Sequence, residues 1–341
     1  MIYLKNDYSE GAYPKILEAF VRTNHEQHIG YGEDDHTKNG ANLIKKRFDA
    51  PDVDVHFLVG GTQTNRVCMT AFLRPFEAVI ATNLGHVSVH ETGAIEASGH
   101  KVIEMPSTDA KMTVDMIAQA VNDHPDEHMV KPRLVYISNA TELGTVYTKK
   151  ELQALKSCCE ANDLLLYIDG ARLATAITAQ KSDLTLEDIP KLCDAFYIGG
   201  TKNGGVFGEA MVIVKDELKS NFRFYMKQNG ALLAKGRYLG IQFEEFFTDD
   251  LYLKIAKNAN DMAQLLTKGL QELNIEFVSE VDSNMIFVRL PHSVHQELSK
   301  LAHYEVDFPF GADYVIARFV TSFATPPKDV EALLHTLKTL V

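Results

Sequence analysis

Two stretches, LLLYIDGAR at residues 164–172 and AFYIGGTKNGG at residues 195–205, decide the fold of this chain. In each, a continuous run of apolar and β-prone residues ends in glycine and a charged side chain. A strand covered on both faces loses the alternation of polar and apolar residues, so these runs predict central strands of a parallel sheet. Ligands collect at the carboxyl ends of parallel strands, and we therefore expect Asp169 and Lys202 at one rim of the sheet.

The same pattern extends outward, from about residue 50 to residue 214. Further apolar runs are VDVHFLV (53–59), AVIATN (78–83), RLVYIS (133–138) and AMVIVK (210–215). Between the runs, helical periodicity predicts crossover helices at Thr62–Leu73, Val114–Val121 and Lys149–Asn162. Thr148 is a predicted N-cap for the last of these helices, with Glu151 three residues further on. The alternation indicates an α/β fold with a mainly parallel sheet covered by helices.

Beyond Lys215 the pattern becomes long and helical, and it changes again near residue 275. Two strands, a helix near 293–303, a third strand and a closing helix from Pro327 complete the chain. We expect a large α/β domain at residues 13–249 and a smaller α+β domain at residues 250–341. Residues 1–12 are expected to form an arm that packs near the functional site.

The composition excludes several classes of protein. Hydrophobic residues make up 45% and charged residues 23% of the chain, which is typical of a globular protein rather than a disordered one. Because the chain has 34 basic and 46 acidic residues, binding to nucleic acid or to an anionic membrane is disfavoured. The four cysteines lack C-x-x-C spacing, and no targeting signal is visible. We expect a cytoplasmic protein without a metal site.

Lys202 and Asp169 are the strongest candidates for chemistry. A lysine in a glycine-flanked loop can form a Schiff base, and Thr201 beside it can help to anchor a phosphate. The alternative for Lys202 is a solvated surface lysine. A carboxylate at a strand end can keep a pyridine nitrogen protonated. The alternatives for Asp169 are that it caps the next helix or pairs with Arg172.

Two further candidates occupy the ends of upstream strands. The sequence VGGTQTN at residues 59–65 opens a helix, where exposed N–H groups and glycine suit a phosphate. It matches neither a dinucleotide fingerprint nor a Walker A loop, and its alternative is a glycine turn with Thr62 as N-cap. His86 follows the strand AVIATN and can stack on a ring or act as a base. With 13 histidines in the chain, a structural role for His86 is the alternative.

These features together resemble the low-specificity threonine aldolases, phenylserine aldolase included. They belong to the β-eliminating lyase group of fold-type-I pyridoxal 5'-phosphate (PLP) enzymes. The motifs that carry the resemblance span nearly the whole chain and are Tyr31-Gly32-Glu33-Asp34, Gly61-Thr62-Gln63, His86 followed by Glu91, Asp169-Gly170-Ala171-Arg172 and Thr201-Lys202. The resemblance implies a PLP-dependent enzyme that splits a β-hydroxy-α-amino acid into glycine and an aldehyde.

The resemblance also implies roles for individual residues around the cofactor. Lys202 would bind PLP covalently, Asp169 would pair with its ring nitrogen, and His86 would stack on the ring and serve as a possible base. The cofactor-binding residues would further include Gly61, Thr62, Gln63, Arg172, Thr201, Lys235 and Arg237. Lys235 or Arg237 would reach the cofactor of a neighbouring subunit, in a homodimer or homotetramer with shared active sites.

The substrate would be bound by Asn6, Tyr31, Arg172 and Arg318. Arg172 and Arg318 suit the substrate carboxylate because guanidinium binds carboxylates through paired hydrogen bonds. The alternative for Arg318 is a salt bridge on an edge strand. The presence of both arginines disfavours a non-catalytic PLP-binding protein, whereas β-elimination or transamination on the same fold stays an alternative reaction.

Three positions depart from the family pattern. Asn6 and Thr201 each stand where the family usually has serine, and both preserve hydrogen-bonding capacity. Glu142 aligns with a histidine that is frequent in the family, which replaces a neutral or cationic group with an acidic one. We expect Glu142 to face the β-substituent and to accept the hydroxyl proton. The alternative is that the alignment is off by one residue and Glu142 faces solvent.

Overall fold

The computed structural model describes residues 1–310 and 313–341 of the chain. Its strands are β1 (Ile2–Tyr3), β2 (Asp54–Leu58), β3 (Glu77–Thr82), β4 (Val102–Met105), β5 (Lys131–Ser138), β6 (Leu165–Asp169), β7 (Ala195–Gly199), β8 (Glu209–Ile213), β9 (Glu276–Phe277), β10 (Met285–Pro291), β11 (Ala302–His303), β12 (Glu305–Phe310) and β13 (Tyr314–Val320). Its α-helices are α1 (Pro14–Thr23), α2 (Asp35–Arg47), α3 (Gly61–Phe72), α4 (His86–Val89), α5 (Val114–Asn122), α6 (Lys149–Ala161), α7 (Leu173–Ile177), α8 (Phe222–Gln228), α9 (Arg237–Phe247), α10 (Leu251–Glu272), α11 (His292–Leu298) and α12 (Pro327–Leu340). Across these described ranges, no helix is both long enough and apolar enough to cross a membrane.

The central sheet has seven strands in the order β2-β8-β7-β6-β5-β3-β4. Its β3–β4, β3–β5, β5–β6 and β6–β7 pairs are parallel, whereas β8 runs antiparallel to both β7 and β2. The prediction of a mainly parallel sheet is therefore confirmed. The sequence analysis missed β4, a short edge strand whose Glu104 is exposed and interrupts the apolar run.

Helices cover both faces of this sheet, as the strand composition requires. Along β6, Leu166 and Ile168 pack into one core and Leu165 and Tyr167 into the other, so successive side chains are buried on opposite faces. The predicted helices correspond to α3, α5 and α6. The predicted capping box of α6 is present, because Thr148 and Glu151 each accept a hydrogen bond from the other's backbone N–H.

A second sheet follows α10 and is antiparallel, in the order β12-β13-β10-β9. The long helix α10 joins the two cores: Leu251 and Ile255 pack into the core of the central sheet, and Leu266 and Leu270 into that of the second. The N-terminal arm packs on the core of the second sheet, and its strand β1 forms a parallel pair with β11. Arg318 lies on β13, an inner strand, so the alternative that placed it on an edge strand is wrong.

Candidate active site

A cavity of about 330 Å³ opens at the rim where β2, β5, β6 and β7 end. Eight of the residues proposed from the sequence line its wall, namely Gly61, Thr62, His86, Glu142, Asp169, Arg172, Thr201 and Lys202. They come from segments far apart in the chain, and the parallel strand order brings them to one place. The cavity is large enough for a small cofactor together with part of a substrate.

Asp169 lies in the cavity wall as a buried carboxylate whose two oxygens each accept two hydrogen bonds. Oδ2 accepts from the hydroxyl of Tyr136 at 2.6 Å and from the side-chain amide of Asn65 at 3.2 Å. Oδ1 accepts from the N–H of Ala171 at 3.0 Å and from the hydroxyl of Tyr197. A ring N–H that binds this carboxylate has to displace one donor, and Tyr197 is the tyrosine of the two that lines the cavity.

His86 is connected to Asp169 through two buried side chains. Its Nδ1 lies 2.7 Å from Oε1 of Glu91, and the same oxygen accepts from the amide of Asn65 at 2.8 Å. Asn65 in turn reaches Asp169. Because the carboxylate of Glu91 can only accept when ionised, Nδ1 of His86 carries the proton and Nε2 is left as the acceptor of the neutral ring.

Glu142 lies in the cavity wall, in a half-buried position. Its Oε1 accepts from the hydroxyl of Ser138 at 2.6 Å and from the backbone N–H of His86 at 2.9 Å. Burial raises the pKa of the Glu142 carboxyl, and the hydrogen bond from Ser138 partly offsets that effect. The described contacts of Glu142 all use Oε1, so Oε2 is available to a ligand.

The start of α3 lies at the edge of the same cavity. The N-cap is Gly60, which has no capping side chain, so the alternative that made Thr62 the N-cap is wrong. A Cβ atom on Gly60 would meet no atom within 4 Å, which leaves the space beside the first turn open. Gly61 and Thr62 line that space, whereas the side chain of Gln63 turns back to accept from the N–H of Val59 at 3.2 Å.

Lys202 lies on a 3₁₀ turn that follows β7 directly. The close approach of the strand ends requires glycine, because a Cβ on Gly199 would lie 2.2 Å from the carbonyl oxygen of Ala171. Within the part of the chain that the structure describes, the Lys202 amine has no hydrogen-bond or ion-pair partner. Burial lowers its pKa, and the nearby Arg172 guanidinium lowers it further. The alternative of a solvated surface lysine is therefore wrong, because Lys202 lines the cavity.

Arg172 also lines the cavity, but it is paired with a residue that the sequence analysis did not single out. Its Nε donates to Oδ2 of Asp7 at 2.7 Å and its Nη2 donates to Oδ1 at 3.1 Å. Asp7 is 2% exposed and also accepts from Asn284 at 3.0 Å. Arg172 thus pairs with the N-terminal arm rather than with Asp169.

Six of the proposed residues lie outside the wall of this cavity, and Gln63 is one of them. Asn6 accepts from the N–H of Tyr8 and the hydroxyl of Ser9 within the arm, and Arg318 lies on β13 of the second sheet. The other three, Tyr31, Lys235 and Arg237, also lie away from the cavity. The ring of Tyr31 lies under the amine of Lys227, and Lys235 is exposed. Arg237 donates a hydrogen bond to the carbonyl oxygen of Glu26.

Glu209 lines the cavity and was missed by the sequence analysis. It is the first residue of β8, and because β8 is antiparallel, its amino end lies at the rim where the parallel strands end. Oε2 accepts from the N–H of Gly200 at 2.8 Å and Oε1 from the hydroxyl of Thr201 at 2.9 Å. From the sequence, an acidic residue before an apolar run indicates only the start of a strand.

Comparisons with known proteins agree with this geometry. A family model described as beta-eliminating lyase matches residues 9–293. A low specificity L-threonine aldolase from Pseudomonas sp. (strain NCIMB 10558) is 32% identical over 295 residues, which is 84% of each chain. The solved structure of Leishmania major threonine aldolase matches with a TM-score of 0.99 and 47% identity, covering 100% of this chain and 99% of that one. Aspartate aminotransferase from Thermus thermophilus shares the fold, with a TM-score of 0.73 and 15% identity over 100% and 92% of the two chains.

Proposed function

The chain belongs to the β-eliminating lyase family, and from this membership we propose how its cavity cleaves the substrate. It is a PLP-dependent carbon–carbon lyase that splits a β-hydroxy-α-amino acid into glycine and an aldehyde, and it has the α/β fold of fold-type-I PLP enzymes. The resemblance inferred from the sequence is confirmed. The observation that carries the proposal for the site is that Lys202 and Asp169 share one cavity with an uncapped helix start.

The residues of the cavity fit PLP on three counts. The open space beside Gly60 and the first turn of α3 suits a phosphate, with Gly61, Thr62 and the backbone of Gln63 as its ligands. The buried carboxylate of Asp169 suits a protonated ring nitrogen, and the amine of Lys202, which has no partner among the described residues, suits a covalent bond to the cofactor. When bound there, PLP supplies an electron sink for the pair released as Cα–Cβ breaks.

Glu142 is the group that we assign to the β-hydroxyl proton. Ser138 and the N–H of His86 fix Oε1, which leaves Oε2 to accept the proton. The raised pKa of this carboxyl brings its proton affinity closer to neutral pH, where a general base works best. His86 is the proposed stacking partner of the cofactor ring and a possible base, and its contact with Glu91 supports this role by fixing Nδ1.

Arg172 is the proposed partner of the substrate carboxylate. Asp7 occupies Nε and Nη2, so the guanidinium is held in one orientation while Nη1 stays available. Asp7 therefore positions Arg172 and prevents it from rotating away. We also propose Arg318 and Asn6 as additional substrate contacts, although neither residue lines the cavity.

We also propose a homodimer or homotetramer whose active sites are shared between subunits, acting in the cytoplasm. Tyr31, Lys235 and Arg237 lie outside the cavity of their own chain, which supports a role at a neighbouring site. The four cysteines are free thiols, as suits a reducing compartment. Light scattering combined with an activity assay tests the assembly, since a fully active monomer would contradict it.

The experiment for the activity uses protein loaded with PLP and supplied separately with threonine, allo-threonine and phenylserine. Glycine and the matching aldehyde should appear together in equal amounts. Ammonia and a keto acid in their place would identify the alternative, β-elimination. Lys202→Ala protein treated in the same way is the control for cleavage by free PLP.

A further inference from the structure

Glu209 is a buried carboxylate in the cavity wall to which the proposed reaction assigns no role. It is 4% exposed, and in the described ranges no lysine, arginine or histidine forms an ion pair with it. On one side it lies opposite Gly199 of β7, and on the other opposite Leu58 of β2. A carboxylate buried without a cation is costly, so its retention at this rim needs a reason.

Its two oxygens each bind one of the two residues that immediately precede Lys202. Oε2 accepts from the N–H of Gly200, and Oε1 accepts from the hydroxyl of Thr201. The Thr201 hydroxyl oxygen also accepts from the N–H of Gly208, so its own proton is directed at Glu209. The carboxylate therefore fixes the backbone and the side chain of the two residues from which Lys202 extends.

The ionised carboxylate of Glu209 is one of the charges that favour a protonated Lys202 amine. The groups that act on the Lys202 amine are Arg172, Asp7, Asp169 and Glu209. Asp7 and Arg172 largely neutralise each other in their paired geometry, and Asp169 is saturated by four donors. Burial raises the pKa of Glu209 to about 7, and the charge of Lys202 opposes this effect.

We propose that Glu209 is the positioning residue for Lys202, which it serves in two ways. It holds the turn that presents the lysine nitrogen to the cavity, and its negative charge favours the protonated form of that nitrogen. This inference rests on the proposed function, because it requires that Lys202 binds PLP. It goes beyond that function by assigning the control of the lysine's proton to a residue on a different strand.

The test compares Glu209→Gln with Glu209→Asp in the PLP-loaded enzyme without substrate. Glutamine can keep both contacts, with its oxygen accepting from Gly200 and its amide donating to Thr201, so this change removes the charge and reverses only the direction of the Thr201 bond. Aspartate keeps the charge but is too short to hold both donors. The readout is the pH at which the visible absorbance of Lys202-bound PLP changes, with thermal unfolding as the check on folding.

Glu209→Gln should move this midpoint to lower pH by about one unit, a tenfold change in proton affinity, and lower kcat by about tenfold. Glu209→Asp should lower kcat while leaving the midpoint near that of the wild type. A Glu209→Gln midpoint equal to the wild-type value, or an equal shift in both variants, would overturn the proposal. Because the midpoint is measured without substrate, it is independent of whether the enzyme releases glycine, and kcat is measured separately.

Discussion

The carboxylate of Asp7 binds the guanidinium of Arg172 through two hydrogen bonds, of 2.7 and 3.1 Å, and thereby ties the N-terminal arm to the end of β6. Burial alone would raise the pKa of Asp7, but the charges of Arg172 and Lys202 outweigh it and hold that pKa below its ordinary value. The pair thus serves the fold and the orientation of Arg172 together.

Asp7→Asn leaves the partly buried Arg172 without its counter-ion and should lower the free energy of unfolding by about 3 kcal/mol. Because the folded pKa of Asp7 is depressed, its contribution is present above the unfolded pKa, near 4, and is lost as pH falls through the folded pKa. Urea denaturation from pH 3 to pH 7 measures both effects. Asp52→Asn, at an exposed position, is the control, and equal stability of the two variants would contradict this account.

Glu142→Gln should lower kcat by about 100-fold, because the base for the β-hydroxyl proton is lost. The visible absorbance of bound PLP should not change. Ser138→Ala removes a hydrogen bond that favours the charged form of Glu142, so the acid limb of the kcat profile should move to higher pH. Wild-type kinetics of Glu142→Gln on threonine, allo-threonine and phenylserine would mean that Glu142 takes no part in the reaction.

Gly60→Ala tests the phosphate site without disturbing the fold. The φ angle of Gly60 is extended and its Cβ would meet no atom within 4 Å, so the unfolding temperature should be preserved. The added methyl fills the space beside the start of α3 and should weaken PLP binding on the order of tenfold, or about 1.4 kcal/mol. Gly11→Ala, where a Cβ also meets open space, is the matched control. Equal PLP affinity of both variants would argue against phosphate binding at this helix.

His36 should make stability depend on pH through a contact outside the cavity. Its Nε2 lies 2.8 Å from Oε2 of Glu26, and its Nδ1 lies 2.6 Å from Oε2 of Glu244. Burial lowers the pKa of His36, but the hydrogen bonds to these two carboxylates outweigh burial and raise the pKa above its ordinary value. A raised folded pKa gives stability that is present below the unfolded value near 6.5 and is lost as pH rises through the folded pKa.

We therefore expect His36→Ala to lower the free energy of unfolding by no more than about 1 kcal/mol below pH 6.5, since the cluster is partly exposed to solvent. The loss should be smaller at pH 8.5. Exposed His25 provides the control variant, His25→Ala, in the same denaturation series. A loss for His36→Ala that is the same at both pH values would rule out a charged contact.

Asp169 and Lys202 could be placed at one rim from the sequence, because apolar runs locate buried strands and parallel strands end at a common edge. The partners of these residues could not be placed. Asp7 lies 165 positions from Arg172, and the apolar run after Glu209 gives no strand direction, so neither contact has a local signal. The edge strand β4, with Glu104 exposed, likewise lacks the continuous apolar pattern of the inner strands.

Asp169→Asn and Lys202→Ala should fail in different ways. Lys202→Ala should abolish the visible absorbance of covalently bound PLP while leaving some binding through the start of α3. Asp169→Asn should keep that absorbance but lose most turnover, because a neutral amide stabilises a protonated ring nitrogen poorly. Identical absorbance spectra for the two variants would contradict these separate roles.

The most direct measurement of the central claim is borohydride reduction of the PLP-loaded protein, followed by proteolysis and mass spectrometry of the labelled peptide. Reduction fixes the cofactor on whichever lysine holds it. We expect a single labelled peptide that contains Lys202, from the turn after β7. A label on any other lysine would contradict the assignment of the active site.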